Sequence, residues 1–226
     1  MDRTLYHFPL DPASRQARLA LGEKRLPFEA VSVRYWEEPP DFAKLNPSGL
    51  TPVLVEMEAG RRTVICEARA LLEYLEEQHP LPALMGRDAV DRAETRRLMQ
   101  WFDRKFDNEV NGYLLAEKLE KRLTKMGAPD LSNMRIGREA LRGHLAYMER
   151  LLQARDWLAG PRLTLADFAA AAHISVLDYF GDVPWRDVSA VKTWYMKIKS
   201  RPAFRPLLAD RWPGLAPAGH YDDLDF

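Results

Sequence analysis

A single cysteine, Cys66, stands in a chain of 226 residues. One thiol excludes intramolecular disulfides and CxxC-type redox or zinc sites. An excess of either charge is also missing, because 33 Lys and Arg residues balance 33 Asp and Glu. Without a net field, no long-range attraction of nucleic acid or of an anionic membrane is expected. No apolar run approaches the length of a bilayer-crossing helix. The opening Met1-Asp2-Arg3-Thr4 leads into a short β-prone run and lacks the apolar stretch of a secretion signal. There is no internal repeat and no low-complexity segment. What the chain does have is 46% apolar residues beside 29% charged ones, a composition suited to a packed core under a solvated surface. The expectation is a cytoplasmic protein of one large or two modest domains, with no nucleic-acid partner and no membrane insertion.

The first third alternates strand and helix signals. Thr4-Leu5-Tyr6-His7-Phe8 is β-prone and closes at Pro9. Ala13 to Lys24 has helix-forming content, with Ala17, Ala20 and Leu21 on one face and Arg15 and Arg18 placed outside. Phe28 to Val33 alternates as a half-buried strand does. Pro52 to Met57 and Thr63 to Cys66 read as a hairpin turning near Gly60, with Cys66 ending an interior strand as a small inert apolar residue. Ala68 to Gln78 is a further helix, and the order β-α-β-α-β-β-α predicts a mixed sheet covered by helices. After Pro80-Leu81-Pro82 the strand signals stop. One long helical pattern runs from Asp88 to about Arg122. Four more follow over Arg135–Arg155, Leu165–Tyr179, Val188–Ser200 and Pro202–Leu208. Residues 1–80 thus form an α/β domain, 81–87 a linker, 88–210 an all-helical domain and 211–226 an irregular tail.

Three local patterns go beyond fold class. The first is Asn46-Pro47-Ser48-Gly49-Leu50-Thr51-Pro52-Val53-Leu54, and the second is Glu67-Ala68 at a helix start. In the third, Leu163-Thr164-Leu165-Ala166-Asp167-Phe168, Thr164 suits an N-cap and Asp167 the reciprocal capping position. In this order and separation they resemble the glutathione transferase superfamily, over nearly the whole chain. The resemblance implies a thioredoxin-like N-terminal domain followed by an all-α domain, the GST fold. It implies a cis bond before Pro52, with Thr51 exchanging backbone hydrogen bonds with the glutathione cysteine. It further implies that Glu67 pairs with the γ-glutamyl ammonium, and that Ala68 stands where relatives carry serine. The lost hydroxyl would cost about 1.5–3 kcal/mol, on the order of tenfold to a hundredfold in affinity.

A transferase of this family must hold the glutathione sulfur as thiolate, whose free pKa is about 8.5. The donor comes from the end of the first strand or the loop after it. His7 stands at the position of the tyrosine of some classes, and Asp11 and Ala13 at the serine or cysteine positions of others. Ala13 donates nothing, and an ionised Asp11 would raise the thiol pKa. Two residues remain as catalytic candidates. His7 offers a protonated imidazole or else is a packed strand residue. Ser14 is either a displaced donor or an ordinary first-turn serine. The expected site is degraded, with no cofactor beyond weakly bound glutathione at Thr51, Pro52, Glu67 and Ala68.

Two other features read as partner contacts. Trp36 lies in the loop Arg34-Tyr35-Trp36-Glu37-Glu38-Pro39-Pro40, either as an anchor for a partner or packed over the neighbouring helix. The ending Gly219-His220-Tyr221-Asp222-Asp223-Leu224-Asp225-Phe226 interleaves aromatic and acidic residues. These features, with Asp11, Ala13 and Ala68, are similar to the glutathione-transferase-like division proteins of bacteria. That narrower resemblance implies a non-catalytic homodimer at the bacterial division site. It would bind FtsZ filaments, change their curvature and promote constriction, with Trp36, Tyr221, Asp225 and Phe226 facing the partner. Dimerisation would use Ala68–Gln78 and Asp88–Arg122. The alternative is an active glutathione-dependent transferase or peroxidase using His7 or Ser14.

Overall fold

The computed structural model describes residues 2–224. Four strands form one mixed sheet: β1 Asp2–His7, β2 Glu29–Ser32, β3 Val53–Glu58 and β4 Arg61–Cys66, in the order β2-β1-β3-β4. β1 runs parallel to β2, while the β1–β3 and β3–β4 pairs are antiparallel. The parallel pair requires a crossover, supplied by helix α1, Pro12–Glu23. Alternation along β1 sends Leu5 into the main core and Tyr6 to the opposite face, 6.2 Å from the ring of Phe42. Phe42 lies on the short helix α2, Pro40–Leu45, which covers that face with Val33, Val53 and Val55. Helix α3, Ala68–Gln78, buries Leu71, Leu72 and Leu75 beside α1. Cys66 ends the edge strand β4, not an interior one; it is half-buried, and its thiol donates to the Leu45 carbonyl at 3.3 Å.

The long helical pattern is continuous in space. α4, Ala89–Gln100, passes through wide π-type turns at Trp101–Asn111 into α5, Gly112–Leu115. A second such stretch, Ala116–Glu120, leads into α6, Lys121–Thr124. α7, Leu131–Ala154, lies beside this rod. α8, Leu165–Tyr179, is buried at every position. Its run Ala169–Ala172 carries no bulk beyond Cβ, which suits close packing against α1 across the domain junction. α9, Ser189–Lys199, and α10, Arg205–Leu208, complete the helical half. α10 begins later than the sequence pattern implied. Among the described residues, no helix is long and apolar enough to cross a membrane.

The outward placement of Arg15 and Arg18 needs correction. Both are buried, because the α1 face that carries them meets the helical half and not solvent. Arg15 donates to the Pro9 carbonyl at 2.8 Å, to Ser175 Oγ on α8 at 2.7 Å and to Asp210 at 3.2 Å. Arg18 forks onto both oxygens of Asp210 at 2.8 and 3.0 Å. At the far end of α1, buried Lys24 donates to the His79 and Pro82 carbonyls and pairs with Glu76, fixing the linker. Exposed Arg96 grips Glu73 with two bonds, at 2.8 and 2.9 Å, joining α4 to α3.

The capping box at α8 forms as its spacing implied. Asp167 accepts from the Thr164 amide at 2.8 Å, and the Thr164 hydroxyl accepts from the Ala166 amide at 3.3 Å. Asp167 also accepts from the Leu158 amide and the Trp194 indole, both at 2.9 Å. Replacing it would orphan two buried donors and uncap the central helix. Asp167→Ala is expected to lose about 3–5 kcal/mol in urea unfolding, and Thr164→Ala about 1 kcal/mol. Equal losses would show that the cap alone matters.

Candidate functional site

β1 ends at His7, and the turn Phe8-Pro9-Leu10 delivers the chain to Asp11, the N-cap of α1. The Asp11 carboxylate accepts from the Ala13 amide at 3.1 Å and the Ser14 amide at 3.0 Å, as an N-cap does. It also accepts from the Ser14 hydroxyl at 2.6 Å and, across the cleft, from the Thr51 hydroxyl at 2.9 Å. Burial nevertheless pushes the Asp11 carboxyl above its ordinary pKa, outweighing these donors. Glu120 is nearby, held by the Tyr35 hydroxyl at 2.6 Å. Its carboxyl is also raised, first by burial and then, despite that bond, by the charge of Asp11. A thiolate brought here would be a third anion beside two carboxylates.

The structure places both catalytic candidates from the sequence inside the fold. The Ser14 hydroxyl gives its proton to Asp11 and accepts from the Phe8 amide at 3.1 Å. It is fully buried, so it braces the turn and has no hydrogen left for a sulfur. His7 is buried on the face of β1 that meets the helical half, and its Nδ1 has no hydrogen-bond partner among the described residues. Burial, followed by the charges of Arg18 and Arg15 against that of Asp210, lowers its pKa to about 4. The imidazole is neutral at pH 7 and supplies no cation.

The binding remnants lie around the same cleft. The Thr51–Pro52 peptide is cis, as the motif implied, but the Thr51 hydroxyl is turned to Asp11. Glu67 precedes α3 with φ +70°, a left-handed conformation that non-glycine residues seldom adopt. Its exposed carboxylate accepts from Ser48 Oγ at 2.9 Å and weakly from the Asn46 amide. Ala68 opens α3 without a hydroxyl. Of the groups expected to serve glutathione, the Ser14 hydroxyl is engaged by Asp11 and Ala68 offers no hydroxyl to a carboxylate.

Beyond the cleft mouth lies an aromatic cluster. Trp36 is half-buried, edge-on to Phe8 at 5.0 Å, Tyr35 at 5.3 Å and Trp212 at 5.7 Å. Phe8 meets Trp212 at 4.9 Å, and the Arg34 guanidinium lies 5.8 Å from the Trp212 ring. Trp36 therefore packs on the β1–α1 turn and the C-terminal segment, and part of it stays open to solvent. Tyr221 differs from its expected partner-facing role. It is fully buried, donating to the Leu207 carbonyl at 3.0 Å, and has no surface to offer. Asp225 and Phe226 lie outside the described residues. Sequence reasoning missed Trp212, Tyr35 and Glu120; a tryptophan beside Pro213-Gly214 in an irregular segment was the available signal for the first.

The glutathione S-transferase N-terminal domain model matches residues 5–83, and the C-terminal domain model matches residues 130–211. FtsZ-localized protein A of Caulobacter vibrioides is 73% identical over 100% of this chain and 99% of that protein. The solved structure of FzlA from C. crescentus matches with a TM-score of 0.99 and 72% identity, covering 100% of both chains. A glutathione S-transferase from Rhodospirillum rubrum F11 matches with a TM-score of 0.95 and 50% identity, covering 99% of this chain and 100% of that one.

The neutral, buried His7 has a signature in pH. Its native pKa near 4 lies below the unfolded value of about 6.5, so the unfolded chain binds the additional proton. Its contribution is complete above about pH 6.5 and is lost as pH falls towards 4. At full effect it is worth about 3 kcal/mol. Carboxyls raised by burial, Asp167 at about 6 among them, act in the opposite sense over part of this window. The comparison must therefore be with His7→Gln. The wild type should lose about 1–3 kcal/mol more than this variant between pH 7 and pH 4.5 in urea titrations. Parallel curves would refute the neutral buried assignment.

Proposed function

The chain belongs to the glutathione S-transferase family, and we propose that it uses this fold to associate with FtsZ and not to activate glutathione. One observation carries the reading: 73% identity to FtsZ-localized protein A along the whole chain, with no segment of this chain left unmatched. The engagement of the Ser14 hydroxyl by Asp11, beside a buried His7, supports the non-catalytic half. In this reading the protein is a cytoplasmic homodimer at the division site. It binds FtsZ filaments, alters their curvature and promotes constriction. Its subunits meet through α3 and the rod that begins with α4. The partner-facing residues are Trp36, whose outer rim is open beside the exposed Glu37 and Glu38, and the terminal Asp225 and Phe226. Tyr221 serves as a buried anchor of the C-terminal segment.

A second reading is favoured by a different observation, the 50% identity to a protein solved as a glutathione S-transferase. Turnover of a chlorinated aromatic substrate with glutathione, abolished by His7→Ala, would support it.

The primary reading is tested by co-sedimentation with FtsZ polymers. The wild type should pellet with the filaments. Trp36→Glu removes an aromatic anchor and places a charge on the surface, and it should weaken binding by about tenfold or more. Asp225→Lys should weaken it as well if the tail meets a basic surface. A wild-type protein that stays in the supernatant would refute the association.

A further inference from the structure

The end of α9 carries a lysine where the fold alone does not call for one. A lysine in the last turn of a helix ordinarily extends into solvent, near the negative end of the helix dipole. Lys199 is instead completely buried. Its ammonium donates to the backbone carbonyl of Asp223, lies 3.9 Å from Asp178, and stands 5.9 and 5.8 Å from the rings of Tyr195 and Tyr221. Burying an ammonium is costly unless it is paired and hydrogen-bonded, and an apolar residue of similar volume commonly serves stability as well or better. The directional bond to a tail carbonyl is what a leucine or methionine would not provide.

Among the described residues, that bond ends a series along the C-terminal segment. Trp212 is seated against Phe8 and Trp36. The Tyr179 hydroxyl donates to the Leu215 carbonyl, and the Tyr179 carbonyl accepts from the Ala218 amide at 2.7 Å. His220 lies 2.8 Å from Asp178, which also accepts from the Trp185 indole at 2.7 Å and the Tyr195 hydroxyl at 3.2 Å. Tyr221 sits between two cations, with Lys199 at 5.8 Å and Arg15 at 6.0 Å. Arg15 in turn holds the Pro9 carbonyl, next to the Phe8 that seats Trp36. The tail and the Trp36 loop are therefore referenced to one buried core.

We propose that Lys199 is a positioning residue: by holding the Asp223 carbonyl it fixes the C-terminal segment relative to Trp36, so that one preassembled surface meets FtsZ. This rests on the functional reading above. A partner that meets an ordered surface loses less conformational freedom than one that must order a free tail. Lys199 is buried, and it acts through the C-terminal segment whose Asp223 carbonyl it holds.

The test uses the full-length chain, with Lys199→Met keeping the bulk and removing the donor. Two readouts are taken: hydrogen exchange along residues 211–224 and co-sedimentation with FtsZ. The tail amides should exchange about tenfold faster or more, with α8 amides unchanged. FtsZ affinity should fall by about tenfold or more. The Lys199→Met/Asp225→Lys pair should bind no more weakly than Asp225→Lys alone, since both act through one surface. Unchanged tail protection would overturn the fastening. Lost protection with unchanged affinity, or additive losses in the double variant, would overturn the positioning role. Tyr221→Leu loosens the same anchor from the tail side and should reproduce both effects. It replaces Lys199→Met if that variant fails to fold, and a protected tail there would refute the idea equally. A wild type that does not pellet with FtsZ removes the functional reading and the positioning role with it, while the exchange data still decide the fastening separately.

Discussion

The geometry of the cleft depends on one carboxylate. Asp11 caps α1, takes the Ser14 hydroxyl proton and bridges to Thr51 on the strand-leading loop. A helix N-terminus with adjacent hydroxyls is an arrangement that binds anions, and a sulfur anion is one of those it can hold. Here the anion is covalently part of the chain. The β1–α1 turn and the Thr51-Pro52 loop are thereby held together, with the Ser14 hydroxyl engaged by the same carboxylate. The same carboxylate lies close to Glu120, so the cleft is acidic where the family needs it to stabilise negative charge.

Around that cleft, polar residues of α1 join the two halves of the molecule. Arg15 and Arg18 converge on Asp210, and Lys24 holds the linker beside Glu76. Removing one partner of such a buried pair strands an uncompensated charge, so each of these residues depends on its mate. The alanine-rich α8 lets α1 approach closely, and its cap through Asp167 ties the Leu158 loop and Trp194 to the same helix. These contacts extend to the C-terminal segment through Tyr179, Asp178 and Lys199. The Trp36 loop, the β1–α1 turn and the tail consequently share one frame.

Features set by neighbours in the chain were legible from the residues. β1, the hairpin near Gly60, the α8 span and its Thr164–Asp167 cap all follow from local alternation, turn chemistry or capping spacing. Contacts between distant residues were not legible. Arg15 reads as a solvated helix charge until Asp210, 195 positions away, is brought to it. Tyr35 and Glu120, 85 positions apart, carry no mutual signal. Tyr221 looked like an exposed aromatic because terminal sequence does not reveal docking; it is buried against Tyr179, Arg15, Lys199 and the Leu207 carbonyl. For His7, its identity was plain in the sequence, but its charge state depends on burial and on two arginines of the following helix. The chemistry of the site was thus less readable than its location.

The central claim is that Asp11 has replaced the sulfur anion as the ligand of this cleft. Calorimetric titration of the wild type and of Asp11→Ser with glutathione at neutral pH tests it most directly. The account predicts no saturable binding of glutathione to the wild type below about millimolar concentration, with measurable affinity emerging once the carboxylate is removed. Tight binding by the wild type, accompanied by formation of the bound thiolate, would contradict it.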